Sequence, residues 1–478
     1  MRERTLLTLI MFMLVGALFL RVAQPPSVPE GAAAALEHSA FRETRRLLRE
    51  HFVDEQFDLK DRKLLYGAIS GFVSAVGDRY TGFLEPNRYK DLTADTKGQF
   101  EGLGVEITQA PTHGLYVVIV MRNSPAQKAG MRDGDRILTV DGKDSSQWRP
   151  EEAKERLRGP AGSAVRLKVQ NIADEKTREI TVTRGPVSTP SVYAAKLLRP
   201  PETPAAPLIG YVGLSHFQET SAAEVREALR DLTNQGAAGI ILDLRRNPGG
   251  LLPAAVQIAD IFLHSGVIVE TRGRGRKETF SAEAAAADCT LPLALLVDKT
   301  SASASEVVAG ALQDHGRAVL VGARTWGKFS VQVVHTLDVG GEKAALKITA
   351  ARYYTPKGRC LDGSQNDEAP GLEPEHPVAL TAHEQQALSA EFHVLHLVAF
   401  SGHPREKIIA LLRDAGNVLP PDEDDLEADE EREEISPPAK QTEAQDSQPP
   451  PPTVEPYLDR QLRKALDVLQ PMIEKGSF

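Results

Sequence analysis

Three serines at 301, 303 and 305 and a lysine at 328 are the residues of this chain best placed to do bond-breaking chemistry. The serines stand in KTSASASEVV, between the apolar run LPLALLV and a segment in which Val307, Val308, Ala311 and Leu312 recur at helical spacing. That pattern predicts a buried strand, a small-residue turn and a helix. A hydroxyl at such a turn lies beside the positive end of a helix and beside free backbone N–H groups, the groups that stabilise a developing oxyanion. The position suits a nucleophile. Its base is the lysine of TWGKFSVQ, whose neighbours are nearly all apolar. A lysine accepts a proton only when neutral, so burial has to bring its pKa from about 10.4 to near 7, roughly 4 kcal/mol.

Each residue also has a structural reading. Ser303 and Glu306 are spaced as a capping box, in which the serine closes a helix N-terminus. A lone lysine at a strand end is commonly solvated. His216 and His315 offer the bases of a Ser-His-Asp arrangement, although His315 follows Asp314 in a polar turn and is expected to be exposed.

The segments SASASE, LQDHGRAVLVG and TWGKFSVQ, preceded by LDLRRNPGGLL, resemble the C-terminal processing peptidases, PDZ-containing tail-specific serine proteases of bacterial envelopes and thylakoid lumens. The resemblance spans about residues 36 to 378 and returns near the C-terminus. It implies a crotonase-like α/β core carrying a PDZ domain and a helical N-terminal cap that also mediates dimer contacts. Lys328 stands 25 positions after Ser303, the family's spacing, which singles out Ser303 and Lys328 as nucleophile and base. By the same resemblance Gln332 orients the lysine, Asp314 supports the site, and the backbone N–H groups of Gly249 and Ala304 form the oxyanion hole. One position departs from the family: Phe329 follows the lysine where glycine is usual, so the turn at Gly327 and Lys328 is expected to differ. Lys328 and Gln332 share a strand face but lie ~13 Å apart in a fully extended chain, and meet only if the strand bends.

Segment 97–186 alternates like a set of strands and resembles the PDZ domain, most specifically in SPAQKAGMRDGDRI. Gly102, Leu103, Gly104 and Val105 would present backbone N–H groups to a peptide's terminal carboxylate while the adjoining strand pairs with the peptide. Asp141-Gly142 is a hairpin turn signal. No third glycine follows at the spacing of a dinucleotide loop. Prolines 186, 190, 200, 201, 204 and 207 predict a stiff, extended connection into the catalytic domain.

The remaining elements frame these. MRER followed by an apolar run over 6–20 is a signal peptide or an N-terminal membrane anchor over 1–30, with 16 uncharged residues between Arg4 and Arg21 and no small-x-small cleavage site close behind. The bulk is then exported, to the periplasm or another envelope compartment, with inner-membrane association if the anchor is kept. Residues 31–96 have helical periodicity and form the cap. The catalytic domain occupies 187–380, where strands and helices alternate, followed by a helical extension at 381–417, an acidic and Pro-rich disordered insert at 418–455 and a closing helix at 456–478. The acidic run at 421–434 holds 10 acidic residues and one basic, against a whole-chain charge of −10, so the folded parts are nearly neutral. The basic run at 271–277, TRGRGRK, is expected to be a mobile loop over the active site rather than a nucleic-acid patch, and the acidic insert to dock on Arg272, Arg274, Arg276 and Lys277. Cys289 and Cys360 have no metal spacing; an oxidising compartment would allow them to pair, and the simpler reading is two isolated thiols. The expectation is a serine endopeptidase without metal or cofactor, acting near protein C-termini, with an activator protein as a further PDZ ligand. The competing reading is an inactive PDZ scaffold with a protease-like domain.

Overall fold

The computed structural model describes residues 32–53, 62–110, 114–199, 206–283, 288–360, 362, 370–416 and 459–475. The N-terminal apolar run and the acidic insert lie outside the described residues. Two compact units divide the chain after Ala75. The first contains the helices Ala32–His51 and Arg62–Ser74. The helical stretch expected over 31–96 is therefore split, because its third helix, Pro86–Lys97, belongs to the second unit.

In the second unit a six-stranded sheet runs in the order Val192–Leu198, Ile209–Leu214, Gly239–Asp243, Leu293–Val297, Val319–Gly322, His376–Pro377. All its pairings are parallel except that of the first strand. The three central strands are buried at every residue, as parallel strands covered on both faces must be. Alternate side chains sort into two cores. Leu242, Leu293 and Leu295 face the helices Ser221–Asn234, Leu252–Phe262 and Ala304–Asp314. Ile241, Ala294 and Leu296 face Leu462, Leu466 and Leu469 of the closing helix Arg460–Lys475. LPLALLV is thus the strand expected from its sequence, and it delivers the serine turn to the end of the sheet.

A second, antiparallel sheet covers the other side of the serine. Ser330–Val339 pairs along its length with Glu342–Tyr354, which also carries Gly82–Leu84 and Val267–Gly273. The basic run expected as a loop is instead a hairpin: Val267–Gly273 pairs with Arg276–Ser281, Arg272 opposite Lys277. Three of its cations already have partners, Arg272 and Lys277 on Glu270 and Arg276 on Glu278, and these two carboxylates halve the charge offered to an acidic insert.

The segment 97–186 folds as a small sheet built on Val105–Ala110, Gly114–Val120, Asp135–Val140, Ala164–Asn171 and Thr177–Thr183. Asp141 and Gly142, both at positive φ, turn Asp135–Val140 into Lys143–Asp144, the two-residue turn that their sequence signals. The stiff, extended connection expected beyond Thr183 is extended over its described residues and is paired into sheets. Gly185–Ser188 pairs with Gln99–Gly102, and Val192–Leu198 is the edge strand of the large sheet. Proline is tolerated there because an edge strand leaves one side of its backbone unpaired.

Candidate active site

Asp298 ends the strand Leu293–Val297, and its carboxylate accepts from the N–H groups of Thr300 and Ser301, bending the chain back on itself. Of the three serines in this turn, two are tied down. Ser301 Oγ donates to Leu244 O at 2.8 Å and Ser305 Oγ to Asn247 O at 2.8 Å, and both residues are fully buried. They anchor the turn to the loop that follows Gly239–Asp243. Ser303 is half-buried, and among the described residues its hydroxyl makes no hydrogen bond to that loop; it stands in the capping-box position opposite the Glu306 N–H. It also sits at φ 57°, ψ −113°, a region that costs a non-glycine residue about 1–3 kcal/mol. That residue is the N-cap of Ala304–Asp314.

The Glu306 carboxylate organises what surrounds that serine. It is completely buried and accepts from Ser303 N at 2.9 Å, Lys328 N at 2.9 Å, Gly327 N at 2.7 Å and Thr325 Oγ1 at 2.5 Å. One oxygen, Oε2, takes the first two, so the backbones of Ser303 and Lys328 stand within two hydrogen-bond lengths of each other. Tyr353 repeats the tie from the other sheet, its phenol donating to the carbonyls of both residues. The capping reading of Glu306 is correct as far as it goes, since its carboxylate does reach the Ser303 N–H. The same carboxylate also fixes the lysine segment, which the cap pattern does not reveal. Burial pushes the Glu306 carboxyl above its ordinary pKa, against the pull of its four donors.

Lys328 is half-buried. Burial lowers its pKa first, Lys347 and Arg79 lower it further, and only Glu306 acts the other way. Its ammonium makes no hydrogen bond or ion pair among the described residues and lies 5.1 Å from the centre of the Tyr80 ring. Phe329 does not disturb the turn. The positive φ falls on Gly327, at 88°, and Phe329 is fully buried with its ring 4.5 Å from that of Tyr353.

Gln332 does not reach the lysine. A bulge between Val331 and Gln332 bends the strand as contact would require, yet the amide donates to Ser330 Oγ at 2.9 Å and Thr349 Oγ1 at 3.3 Å. Asp314, at the far end of its helix, pairs with Arg359 and accepts from Lys357 N, so it pins a surface turn to that helix rather than touching Ser303. Gly249 lies where it was expected, so close that a Cβ would stand 2.9 Å from Ala304 N and 2.7 Å from Ala302 O. Its own N–H, however, donates to Asn247 Oδ1 at 2.9 Å. The Ala304 N–H has no acceptor among the described residues and stays open at the helix N-terminus. His315 is exposed and bonded to Val267 O, and neither it nor His216 bonds Ser303. Cys289 and Cys360 are buried, free thiols.

The second sequence-predicted site forms one end of a cavity of about 580 Å³. Gly102, Leu103, Gly104 and Val105 line it, with the strand Val105–Ala110 on one side and the helix Pro150–Leu157 on the other. Gly104 is at φ 78°, and a Cβ there would overlap Ser124 at 2.3 Å, so only glycine makes this loop. Glu106 and Lys154 both line the cavity, and burial raises the Glu106 pKa against the pull of Lys154.

Comparison with known proteins places the chain among peptidases that carry a PDZ domain. Residues 208–378 match the model of peptidase family S41, and residues 116–171 match a PDZ domain. The chain is 36% identical over 375 residues to a carboxyl-terminal-processing protease of Synechocystis sp., covering 74% of this chain and 84% of the relative. It is 38% identical over 309 residues to a carboxy-terminal-processing protease of Bartonella bacilliformis, covering 63% and 68%. Among solved structures, the photosystem II D1 C-terminal processing protease is 30% identical, with 77% of this chain and 99% of that one covered and a TM-score of 0.42.

Proposed function

Because the chain belongs to peptidase family S41, among its carboxyl-terminal-processing proteases, we propose that Ser303 is the nucleophile and Lys328 the general base of a serine endopeptidase. The observation that carries the assignment is the Glu306 carboxylate, which holds the two backbones to a single oxygen while burial lowers the lysine's pKa. Neutral Lys328 takes the proton of Ser303 as Oγ attacks the peptide carbonyl. It then returns that proton to the departing amine, and water hydrolyses the acyl-enzyme. The Ala304 N–H, at the positive end of its helix, is aimed to stabilise the oxyanion, and Gly249 joins it once its N–H is released by Asn247. Gln332 and Asp314 act on this site through the backbone and sheet they brace.

The PDZ cavity takes the C-terminal residues of the polypeptide to be cut, by strand addition to Val105–Ala110 with the terminal carboxylate at the Leu103 and Gly104 N–H groups. An activator with a similar tail would compete for it. The basic and apolar N-terminus favours an exported location, in the periplasm or another envelope compartment. Retention of residues 5–20 would hold the enzyme at the inner membrane. The N-terminal helices are the candidate contact between copies.

Cleavage of an unfolded protein with an apolar C-terminal tail, followed from pH 6 to 10, tests the assignment. Ser303→Ala and Lys328→Ala should each abolish turnover, and wild-type activity should reach its plateau well below the ordinary lysine pKa. Turnover surviving in Lys328→Ala would remove the lysine from the mechanism. Tail binding without turnover by the wild-type chain would return the scaffold reading.

A further inference from the structure

Tyr80 presents its ring to the Lys328 ammonium. It precedes the strand Gly82–Leu84, which is hydrogen-bonded to Glu342–Tyr354 next to the lysine. Thr81 and Thr349 are both held by Asp78, at 2.5 and 2.6 Å, so the position of the Tyr80 backbone is fixed. The ring has the Lys328 ammonium 5.1 Å from its centre and the Arg79 guanidinium at 4.6 Å. Its hydroxyl accepts from Trp326 Nε1 at 3.4 Å and from Arg79. Trp326 is half-exposed, two residues before the lysine.

We propose that Tyr80 is a positioning residue for the base: its ring holds the charged lysine in a resting place away from Ser303 and lets go of the neutral amine. The proposal rests on Lys328 being the base. The attraction between an ammonium and a ring face exists only while the nitrogen is charged. Once the proton has left to solvent, the amine has no reason to stay on the ring, and its lone pair can turn to the hydroxyl of Ser303. Protonation state and geometry are thereby coupled, so that the enzyme with a charged lysine is inactive in two ways. The charged and titratable groups around the ammonium fit this division. Lys347 on Glu342–Tyr354 and Arg79 beside the ring both repel it. Glu306 attracts it but already spends both oxygens on other donors, and the Tyr353 phenol is committed to backbone carbonyls. Among the described residues, the ring of Tyr80 is the contact that favours the charged form without a competing hydrogen bond.

The test compares wild type with Tyr80→Phe, Tyr80→pentafluorophenylalanine and Lys328→Ala in the full chain, reading the acid limb of kcat/KM against pH on the unfolded tailed protein. The fluorinated ring is close to isosteric with phenylalanine but reverses the charge distribution of its face, so packing is kept while the attraction is removed. Wild type and Tyr80→Phe should share one acid limb, and pentafluorophenylalanine should move it to lower pH by about 0.5–1.5 units. A common limb in all three, or a shift to higher pH, overturns the proposal. Should the fluorinated chain not fold, Tyr80→Leu gives the same comparison, with a downward shift expected and an upward shift, from water reaching the lysine, overturning it. Activity surviving in Lys328→Ala overturns the base assignment and this inference together, whereas an inactive Lys328→Ala beside an unmoved limb overturns the inference alone.

Discussion

Lys328 imposes a stability cost whose pH dependence has a definite sign. Its folded pKa is lowered by burial, so the unfolded chain binds more protons than the native one between that lowered value and the ordinary 10.5. Stability therefore rises with pH across this window. The substitution Lys328→Met removes the titration while filling a similar volume. Below the window the variant should be more stable than wild type, and the difference should shrink as pH rises toward 10.5. Thermal unfolding of both proteins from pH 7 to 10.5 checks this, and a constant difference would mean that the lysine keeps its ordinary pKa. Glu306 answers to a different measurement. Gln at that position presents an amide N–H₂ to donors that need an acceptor, so the Ser303 and Lys328 segments should lose their mutual placement. Misplacement of this kind costs on the order of 10²-fold in kcat, with little change in KM. Steady-state kinetics of Glu306→Gln would separate the two, and a change confined to KM would show that the carboxylate only supports the substrate cleft.

At the scale of elements, the serine turn depends on a helix from the opposite end of the chain. Arg245, 2% exposed, bonds Asp243 at 2.6 Å and Asp459 at 3.0 Å, and Asp459 in turn caps the closing helix through Leu462 N. Tyr211 donates to Asp243, and Gln461 accepts from Arg245. Arg245 lies four residues before Gly249, so the network roots the loop beside the serine in the helix that covers the sheet's second face. Truncating one member of a fully buried ion pair leaves a charge without compensation and typically costs about 3–5 kcal/mol. Asp459→Ala should lose stability on that order in urea unfolding, and should lose activity at temperatures where the rest of the sheet is still folded. An effect below about 1 kcal/mol would indicate that the Asp243 pair alone satisfies Arg245.

Across the whole second unit, the helical extension joins the PDZ sheet to the catalytic sheet. Val394 and Leu397 of Ala382–Ser401 and Ile408 and Leu412 of Arg405–Asp414 share a core with Tyr116, Val118 and Ile119 of the PDZ strand. On the catalytic side, Leu388 and Phe392 pack with Tyr193, which stacks on His396. Asp133 binds His403 and Lys407 at 2.7 and 2.8 Å, and Arg122 donates to Ala399 O, adding polar ties to the PDZ side. The PDZ cavity is therefore held in place relative to Ser303 by packing rather than by the connecting chain alone. Ile408→Ala, which opens a void in this shared core, should cost about 2–5 kcal/mol. It should also raise hydrogen exchange in Gly114–Val120 while leaving Leu293–Val297 protected, and equal changes in both strands would show that the extension stabilises the unit without linking its parts.

Local pattern was enough to place much of this protein. The apolar run before the serines, the helical spacing after them and the Asp141-Gly142 turn each declared their element, because a strand, a helix and a tight turn are set by side-chain period and backbone sterics within a few residues. The family spacing further picked Ser303 from three serines and paired it with Lys328. What the sequence left undecided were partnerships between residues far apart in the chain. Glu306 read as a cap because its nearest partner is three residues away, while its donors Thr325, Gly327 and Lys328 arrive only when two sheets close on one helix. Gln332 shares a face with the lysine, but the bulge and Thr349 on the neighbouring strand decide where its amide goes. The basic run 271–277 carried the composition of a loop and became a hairpin because Glu342–Tyr354 offered it an edge and Glu270 and Glu278 offset half its charge. Tyr80 had no signal of its own, since a ring becomes a resting place for an ammonium only through the fold that brings the two together. Sequence determined the elements and singled out the candidate pair; tertiary structure decided which buried group serves which, because burial and hydrogen-bond satisfaction depend on every neighbour at once.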